Sequence, residues 1–224
     1  MRIARESAAI AAKDLRIELR GRYAVGTILP FAATLLITFG LSLGPGRALL
    51  RETAPGLLWL AVLFASVLAF RRSFEAEGED GALEGLVVSP VDRAAIYLGK
   101  AAAVAVQLIA LEIVVVLLVS ALFDLSFARD AGVTVAAFAL GTVGLAAVGS
   151  MFGVLTESAR AREAVFPLLV LPLCVPVLIA GVKATAIATT GEPGSAASWL
   201  GLLLAFDAVF LAAGTLVFGS LLED

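Results

Sequence analysis

Runs of about 20 predominantly apolar residues recur along this chain, and they constrain its fold more than any other feature. An α-helix needs a run of that length to cross the hydrocarbon core of a bilayer, whereas the strands of membrane barrels are about 10 residues long and alternate in polarity. Only 16% of the 224 residues are charged, against about 25% in a soluble domain. The sequence therefore predicts an all-α polytopic membrane protein with a single transmembrane domain over residues 1–224.

Six spans are predicted from the apolar runs and from the polar or Gly/Pro-rich connectors between them. They cover residues 23–43, 54–70, 98–123, 131–155, 164–182 and 199–221. The connector 183–198 contains GEPGS, and the sequence leaves open whether this connector dips back into the membrane.

Lysine and arginine are distributed unevenly between the two sides of these spans. The amino-terminal tail, the connector 71–97 with Lys100 at its edge and the connector 156–163 hold 12 of the 16 basic residues. Basic residues accumulate in cytoplasmic connectors. Both termini are therefore predicted to be cytoplasmic, together with the connector between spans two and three.

Residues 1–22 are predicted to form an interfacial amphipathic helix and not a cleaved signal, because they are strongly charged and no A-x-A site follows a short apolar core. At 100° per residue, five basic side chains fall within an arc of about 80° and three isoleucines flank it. These residues are Arg2, Arg5, Lys13, Arg16 and Arg20, with Ile3, Ile10 and Ile17. Orientation and anchoring on lipid phosphates are the favoured roles, and contact with a cytoplasmic partner is the alternative.

The connector RRSFEAEGEDGALEGLVVSPVDR, residues 71–93, is the longest polar interruption in the chain. Its acidic part is too charged for burial, and Asp80 is a candidate N-cap for a short helix over 81–88. The apolar residues of this helix share one face at i, i+3, i+4 spacing. They are Leu83, Leu86 and Val87.

The start of the next helix is predicted at Ser89, as N-cap, with Pro90 at the first helical position and Asp92 three residues after the cap. Two interpretations of the short helix remain open from the residues alone. It is either a linker lying on the membrane or a docking element whose apolar face enters a groove in a partner.

The segment APGLLWLAVLFASVLAFRRSFEAEGEDGALEGLVVSP resembles the CcmB family, the haem-exporter B subunit of the cytochrome c maturation system. The A-P-G-x-x-W part of the family pattern falls on Ala54, Pro55, Gly56 and Trp59. The E-D-G-x-L-E-x-L-x-x-x-P part falls on Glu79, Asp80, Gly81, Leu83, Glu84, Leu86 and Pro90. The later segment LLVLPLCVPVLI is similar to a proline-spaced run of the family, so the resemblance covers essentially the whole chain.

This resemblance implies a permease subunit of an ABC-type complex in the bacterial inner membrane. Two copies would assemble with two cytoplasmic ATPase subunits (the A subunit), with the haem-handling membrane subunits C and D, and with the haem chaperone E. The motif residues 79–90 become the ATPase-docking site, and the segment that contains them becomes a coupling helix. Glu84 is then the central contact, with Leu83 and Leu86 as its apolar neighbours.

The chain itself offers little chemistry for an enzyme. It contains no G-x-x-x-x-G-K-[ST] motif, so ATP has to act through a partner, and without histidine neither a Ser-His dyad nor a histidine ligand is available. Cys174 is the single cysteine and lies in an apolar run. We therefore expect no catalytic, metal or directly bound cofactor site and no nucleic-acid partner; haem, as a cargo, would be held by partner subunits.

Two acids, Glu112 and Asp207, interrupt spans three and six. A charged side chain within the bilayer costs roughly 2.5–3.5 kcal/mol or more, so each acid should face protein or water, or be protonated. Two unrelated acids in a helix crevice are the favoured interpretation. A proton-coupling pair is the alternative and would suit a secondary transporter.

Spans four and five carry residues that affect helix packing and bending. Pro167, Pro172 and Pro176 make span five a hinge candidate, since each proline removes a helix hydrogen bond. Span four contains glycines that let helices approach closely, by default within the subunit and alternatively between subunits. They are Gly141, Gly144, Gly149 and Gly153.

Three functions follow as alternatives. The first is an ABC permease that couples ATP hydrolysis by its partner to haem export or to the release of a haem-loaded chaperone. The second is a proton-coupled secondary transporter that uses Glu112 and Asp207. The third is a non-transporting scaffold of a haem-delivery complex.

Overall fold

The computed structural model describes residues 2–21, 24–80, 91–153 and 159–221, and every regular element in these ranges is helical. Helix α1 spans Arg2–Gly21, a π-helix spans Ala24–Ile28, and α2 spans Leu29–Ser42. Five longer helices follow: α3, Arg47–Asp80; α4, Arg93–Phe123; α5, Ala131–Gly153; α6, Ala159–Thr190; and α7, Ala196–Leu221.

Five of the described helices are long and apolar enough to cross a membrane, namely α3 to α7. A sixth candidate arises only when α1 and the helix over 26–42 are counted together as one bent span. Leu41, Leu168 and Leu216 expose 78%, 72% and 81% of their surface, and such an apolar exterior suits lipid and not water. The predicted all-helical, multi-pass architecture is confirmed, with five or six candidate spans where six were predicted.

Helix α3 continues ten residues beyond the predicted end of span two. It is unbroken to Asp80, so residues 71–80 are helical and not a connector. At about 1.5 Å per residue its 34 residues extend about 51 Å, against about 30 Å for the hydrocarbon core. Charge opposes burial in lipid but not helix formation, and Glu, Ala and Arg are good helix formers.

Helix α4 begins later than the sequence predicts. Its N-cap is Asp92, whose side chain accepts a hydrogen bond from the Ala94 N–H at 2.9 Å. Ser89 is therefore not the cap of this helix. Asp and Ser are comparable caps, so residue type alone does not choose between Ser89 and Asp92. Asp92 is the cap because the helix begins at Arg93 and the Asp92 carboxylate accepts from its second N–H, that of Ala94.

The predicted connector 183–198 is mostly helical. Helix α6 runs to Thr190 and α7 begins at Ala196, so only residues 191–195 form the turn between them. Gly191 and Gly194 have φ values of +76° and +147°, which side chains disfavour. Lys183 lies within α6, and its Nζ is 2.6 Å from Glu192 Oε1. A helical hairpin replaces the re-entrant segment that the sequence left open.

The centre of the bundle is built around Trp59 of α3. A Cβ at Gly141 of α5 would lie 2.6 Å from Trp59 Cζ3, and one at Gly181 of α6 would lie 2.5 Å from Cε2. The indole also stacks on Phe138 at 5.5 Å between ring centroids and donates from Nε1 to Thr185 Oγ1 at 2.9 Å. Trp59 is fully buried, so it joins three helices at one point.

Three of the four glycines of α5 serve packing within the subunit, as the default interpretation predicted; the surroundings of Gly153 lie outside the described residues. Gly149 receives the ring of Phe70 from α3, and Gly144 faces Asp207 and Phe206 of α7. Each leaves no room for a Cβ. Small residues at these positions let large side chains of neighbouring helices approach the backbone of α5.

Candidate functional site

Two of the predicted docking residues lie at the end of α3. Glu79 and Asp80 are the last two residues of α3. Gly81, Leu83, Glu84, Leu86 and Pro90, with the predicted short helix over 81–88, lie outside the described residues. The chain is described again from Val91, one residue before the cap of α4.

The start of α4 is held by the amino-terminal helix. Glu6 of α1 accepts a hydrogen bond from the Asp92 backbone N–H at 3.2 Å and one from Arg2 Nε at 2.7 Å. Its negative charge therefore sits at the N-terminal end of α4, where the helix dipole favours an anion. The Arg2 side chain, followed by the Asp92 N–H, holds the pKa of Glu6 below its ordinary value.

Helix α1 packs closely on α4 along its middle turns. A Cβ at Gly99 would lie 2.8 Å from both Ile10 Cβ and the Ser7 carbonyl oxygen, so only glycine allows this approach. Ile10 joins Ile96 and Tyr97 in a small apolar cluster. The predicted helix over 1–22 is observed as Arg2–Gly21, and it lies against α4 while Ile3 and Ile17 remain exposed.

A buried charged pair lies on the same contact. Lys100 of α4 and Asp14 of α1 are 1% and 8% exposed, and Lys100 Nζ lies 3.8 Å from Asp14 Oδ2. Lys13 Nζ lies 3.1 Å from Asp14 Oδ1. Removing one partner of such a pair leaves an uncompensated buried charge, so α1 and α4 are expected to stay together.

No local pattern in the sequence singled out Glu6, Gly99 or the Asp14–Lys100 pair. Lys100 stood out only in the count of basic residues. The one available signal was a lysine inside the apolar run that begins near Leu98, because a buried lysine requires an acid nearby.

Tyr97 connects the start of α4 to two further helices. Its hydroxyl lies 3.1 Å from the Ala147 carbonyl of α5 and 3.1 Å from the Phe210 carbonyl of α7. Gly214 leaves space for the ring, since a Cβ there would be 2.5 Å from Tyr97 Cε1. A displacement of the first turns of α4 would therefore also displace α1, α5 and α7.

Helix α5 separates the two intramembrane acids. Thr142 Oγ1 donates to Glu112 Oε1 at 2.6 Å, whereas a Cβ at Gly144 would lie 2.7 Å from Asp207 Oδ1. Positions 142 and 144 point roughly 200° apart around one helix. Both acids are 4% exposed, and no contact joins them within the described residues. They occupy different crevices on opposite sides of α5.

The three prolines of the hinge candidate do not interrupt α6. Pro167, Pro172 and Pro176 all lie inside one continuous helix, Ala159–Thr190. Pro172 and Pro176 face outward, while Cys174 and Val177 between and beside them are buried. The missing hydrogen bonds therefore lie largely on the outer face of α6.

No metal or cofactor site is assembled in the part of the chain that the structure describes. No three His, Cys, Asp or Glu side chains come together there. Among the described residues, the polar arrangement at this end of the bundle consists of contacts between helices.

Comparison with known proteins identifies the family. The CcmB protein family matches residues 5–223. The chain is 32% identical over 213 residues to Heme exporter protein B of Pseudomonas aeruginosa, covering 92% of this chain and 94% of that protein. It is 31% identical over 211 residues to Heme exporter protein B of Bradyrhizobium diazoefficiens, covering 92% of each. The chain therefore belongs to the CcmB family.

Proposed function

We propose that this chain is the membrane subunit of an ABC-type complex for cytochrome c maturation, where it couples ATP hydrolysis by a cytoplasmic partner to haem export. Relatives that align along more than nine-tenths of their length are named Heme exporter protein B. The structural observation that supports coupling is the single unbroken helix, α3, which joins the core at Trp59 to the acidic motif at Glu79 and Asp80.

The packing of α3 makes it a rigid helix that can transmit movement to its neighbours. Trp59 and Phe70 are fully buried against glycines of α5 and α6, and densely packed side chains transmit displacement and do not absorb it. A push on the polar end of α3 would therefore move its contacts with α5 and α6.

The other side of the acidic connector is equally well anchored. Asp92 caps α4, and its backbone N–H donates a hydrogen bond to Glu6 of α1. Tyr97 links α4 to α5 and α7. Residues 81–90 thus join two helices that both reach the core. We propose that this connector contains the coupling helix, with Glu84, Leu83 and Leu86 as the contacts to the ATPase.

Energy and haem chemistry belong to partners in this proposal. The sequence has no P-loop motif and no histidine, so nucleotide binding falls to the A subunit and axial haem ligation to the C, D and E components. Two copies of this chain in the inner membrane, with cytoplasmic termini, complete the assembly. Release of a haem-loaded chaperone is the second form that the coupled step can take.

The hinge assigned to α6 follows from its prolines. Each proline removes one backbone hydrogen bond, and α6 packs against α3, α5 and α7. We propose that α6 bends when α3 is pushed. The rival mechanism, proton coupling through Glu112 and Asp207, is disfavoured because α5 stands between the two acids.

The docking claim is tested by Glu84→Lys in the full complex, with recovery of the ATPase subunit on purified membrane subunit as the measurement. Charge reversal at a central contact is expected to lower recovery at least about tenfold. Glu192→Lys is the matched control, because Glu192 makes an exposed pair with Lys183 at the opposite end of α6. Equal recovery for the two variants would remove the docking claim.

The mode of energy use is tested by transport or chaperone release in reconstituted vesicles. The proposal requires inhibition by vanadate and persistence in the presence of uncouplers. Activity that resists vanadate and is abolished by uncouplers favours the secondary transporter. Function that survives an ATPase-inactive partner favours the scaffold.

A further inference from the structure

A polar depression lies at the end of the bundle opposite to Asp92. It encloses about 500 Å³ between the start of α3, the turn after α4 and the end of α6. Its lining includes two arginines, two acids and two threonines: Arg51, Arg129, Glu52, Asp124, Thr189 and Thr190. Ala48 and Leu125 add apolar surface.

One of the two arginines is already neutralised. Arg51 donates from Nε to the Asp124 carbonyl oxygen at 3.0 Å and from Nη2 to the Asp124 carboxylate. Arg47, outside the depression, approaches the same carboxylate at 3.6 Å. The hydrogen bond and charge of Arg51, then the charge of Arg47, hold the pKa of Asp124 below its ordinary value. This carboxylate therefore stays ionised and paired with the two arginines.

The second arginine is positioned but not neutralised. Arg129 makes no ion pair or side-chain hydrogen bond to any residue in the ranges that the structure describes. Its guanidinium lies over Gly191, where a Cβ would be 2.5 Å from Nη2. Gly191 also has φ +76°. Glycine is therefore favoured there by the backbone conformation and by the close approach of Arg129.

Arg129 has the largest set of unengaged donors in the depression; the others are the Ser126 hydroxyl and the remaining N–H groups of Arg51. The hydroxyls of Thr189 and Thr190 already donate to the carbonyls of Thr185 and Ala186 at 2.7 and 2.8 Å. Arg51 donates from Nε and Nη2 to Asp124. A guanidinium carries five N–H donors in a planar fork that suits the two oxygens of a phosphate or carboxylate.

We propose that this depression binds the phosphate of an anionic phospholipid headgroup, such as phosphatidylglycerol, through Arg129. In phosphatidylcholine the choline cation offsets the charge of the same phosphate, so binding there is expected to be weaker. The helix ends that form it, at Arg47, Phe123 and Thr190, are ends of membrane-spanning helices, which is the level at which headgroups lie. The exposed side chain of Ala48 suits the glycerol region of an amphiphile better than a free anion. Free phosphate offers the same oxygens and is the competing source.

The test compares lipid retention by Arg129→Gln, Lys183→Gln and the unaltered full-length chain in native mass spectrometry. Phosphatidylglycerol and phosphatidylcholine are the probes. Loss of one bidentate charge-assisted contact should weaken phosphatidylglycerol binding roughly tenfold in Arg129→Gln. Lys183→Gln removes one positive charge outside the depression, at a lysine that pairs with Glu192, and should bind as the unaltered chain does. Equal loss in both variants, or none in either, overturns the proposal.

Two further measurements separate the competing explanations. In phosphatidylcholine nanodiscs Arg129→Gln should unfold at the same temperature as the unaltered chain. If it is destabilised there as much as in phosphatidylglycerol, Arg129 acts only on the negative end of α6 and the proposal fails. If inorganic phosphate displaces bound phosphatidylglycerol and protects the chain equally well, the ligand is a free anion and the lipid assignment is wrong.

Discussion

At the scale of single residues, the molecule depends on large side chains that fit against glycines. Trp59 fits between Gly141 and Gly181, Phe70 against Gly149, and Tyr97 against Gly214. In lipid no hydrophobic force drives helices together, so close packing and hydrogen bonds supply most of the association energy. In this chain the Trp59 indole fills the contact of α3, α5 and α6.

Gly141→Val should destabilise the bundle because its Cβ would overlap the Trp59 ring. Overpacking of a dense core costs about 1–3 kcal/mol, which corresponds to a melting temperature lower by roughly 3–10 °C. Thermal unfolding in nanodiscs measures this. Gly201→Val is the control, because nothing lies within 4 Å of a Cβ at Gly201. Equal effects of the two variants would show that helix propensity, and not Trp59, sets the outcome.

At the scale of elements, α1 is part of the bundle and not only an anchor. Its basic stripe was readable from the sequence, and the helix forms over almost the predicted residues. Its docking on α4 was not readable, because Glu6 and Asp92 are 86 positions apart. The same holds for the end of α3, where hydropathy marks the membrane boundary but not the end of the helix.

The Glu6 contact should make α1 docking sensitive to acid. The pKa of Glu6 is lowered in the folded state, so the contact is fully present above the unfolded value of about 4.3 and is lost as pH falls through the lowered pKa. Spin labels at positions 8 and 102 should give a narrow distance distribution at pH 7 that broadens in this acid range. Glu6→Gln should broaden it already at pH 7.

Arg16→Gln is the control for this measurement, since Arg16 is exposed on the same helix and makes no contact with α4 in the described structure. A distribution that stays narrow in Glu6→Gln would mean that the packing of Ile10 on Gly99 and the Asp14–Lys100 pair hold α1 in place without Glu6.

At the scale of the whole molecule, the two ends of the bundle differ in charge and in construction. The Asp92 end carries α1 and the polar end of α3. The tail and connectors that the sequence assigns to this side, with Lys100, hold 12 of the 16 basic residues. The Asp124 end has short turns and the Arg129 depression. We expect the Asp92 end to face the cytoplasm, where an ATPase would meet the acidic connector.

Thiol labelling checks this orientation. A membrane-impermeant reagent applied to intact cells should label Ser195→Cys, in the turn between α6 and α7, and should label Glu77→Cys only after permeabilisation. The natural Cys174 is fully buried and should give no background. Labelling of Glu77→Cys from outside would reverse the topology and exclude an ATPase at the connector.

The sequence by itself determined what depends on neighbours along the chain. The length and hydropathy of each run fixed a helical membrane protein and the approximate spans, and the motifs around Trp59 and Glu84 fixed the family. The tertiary structure alone decided which residues meet: Glu6 with Asp92, Asp14 with Lys100, Arg129 over Gly191, and α5 between Glu112 and Asp207. These contacts join positions far apart in the chain, and they depend on the shape and close approach of helices, which no local pattern of hydropathy records.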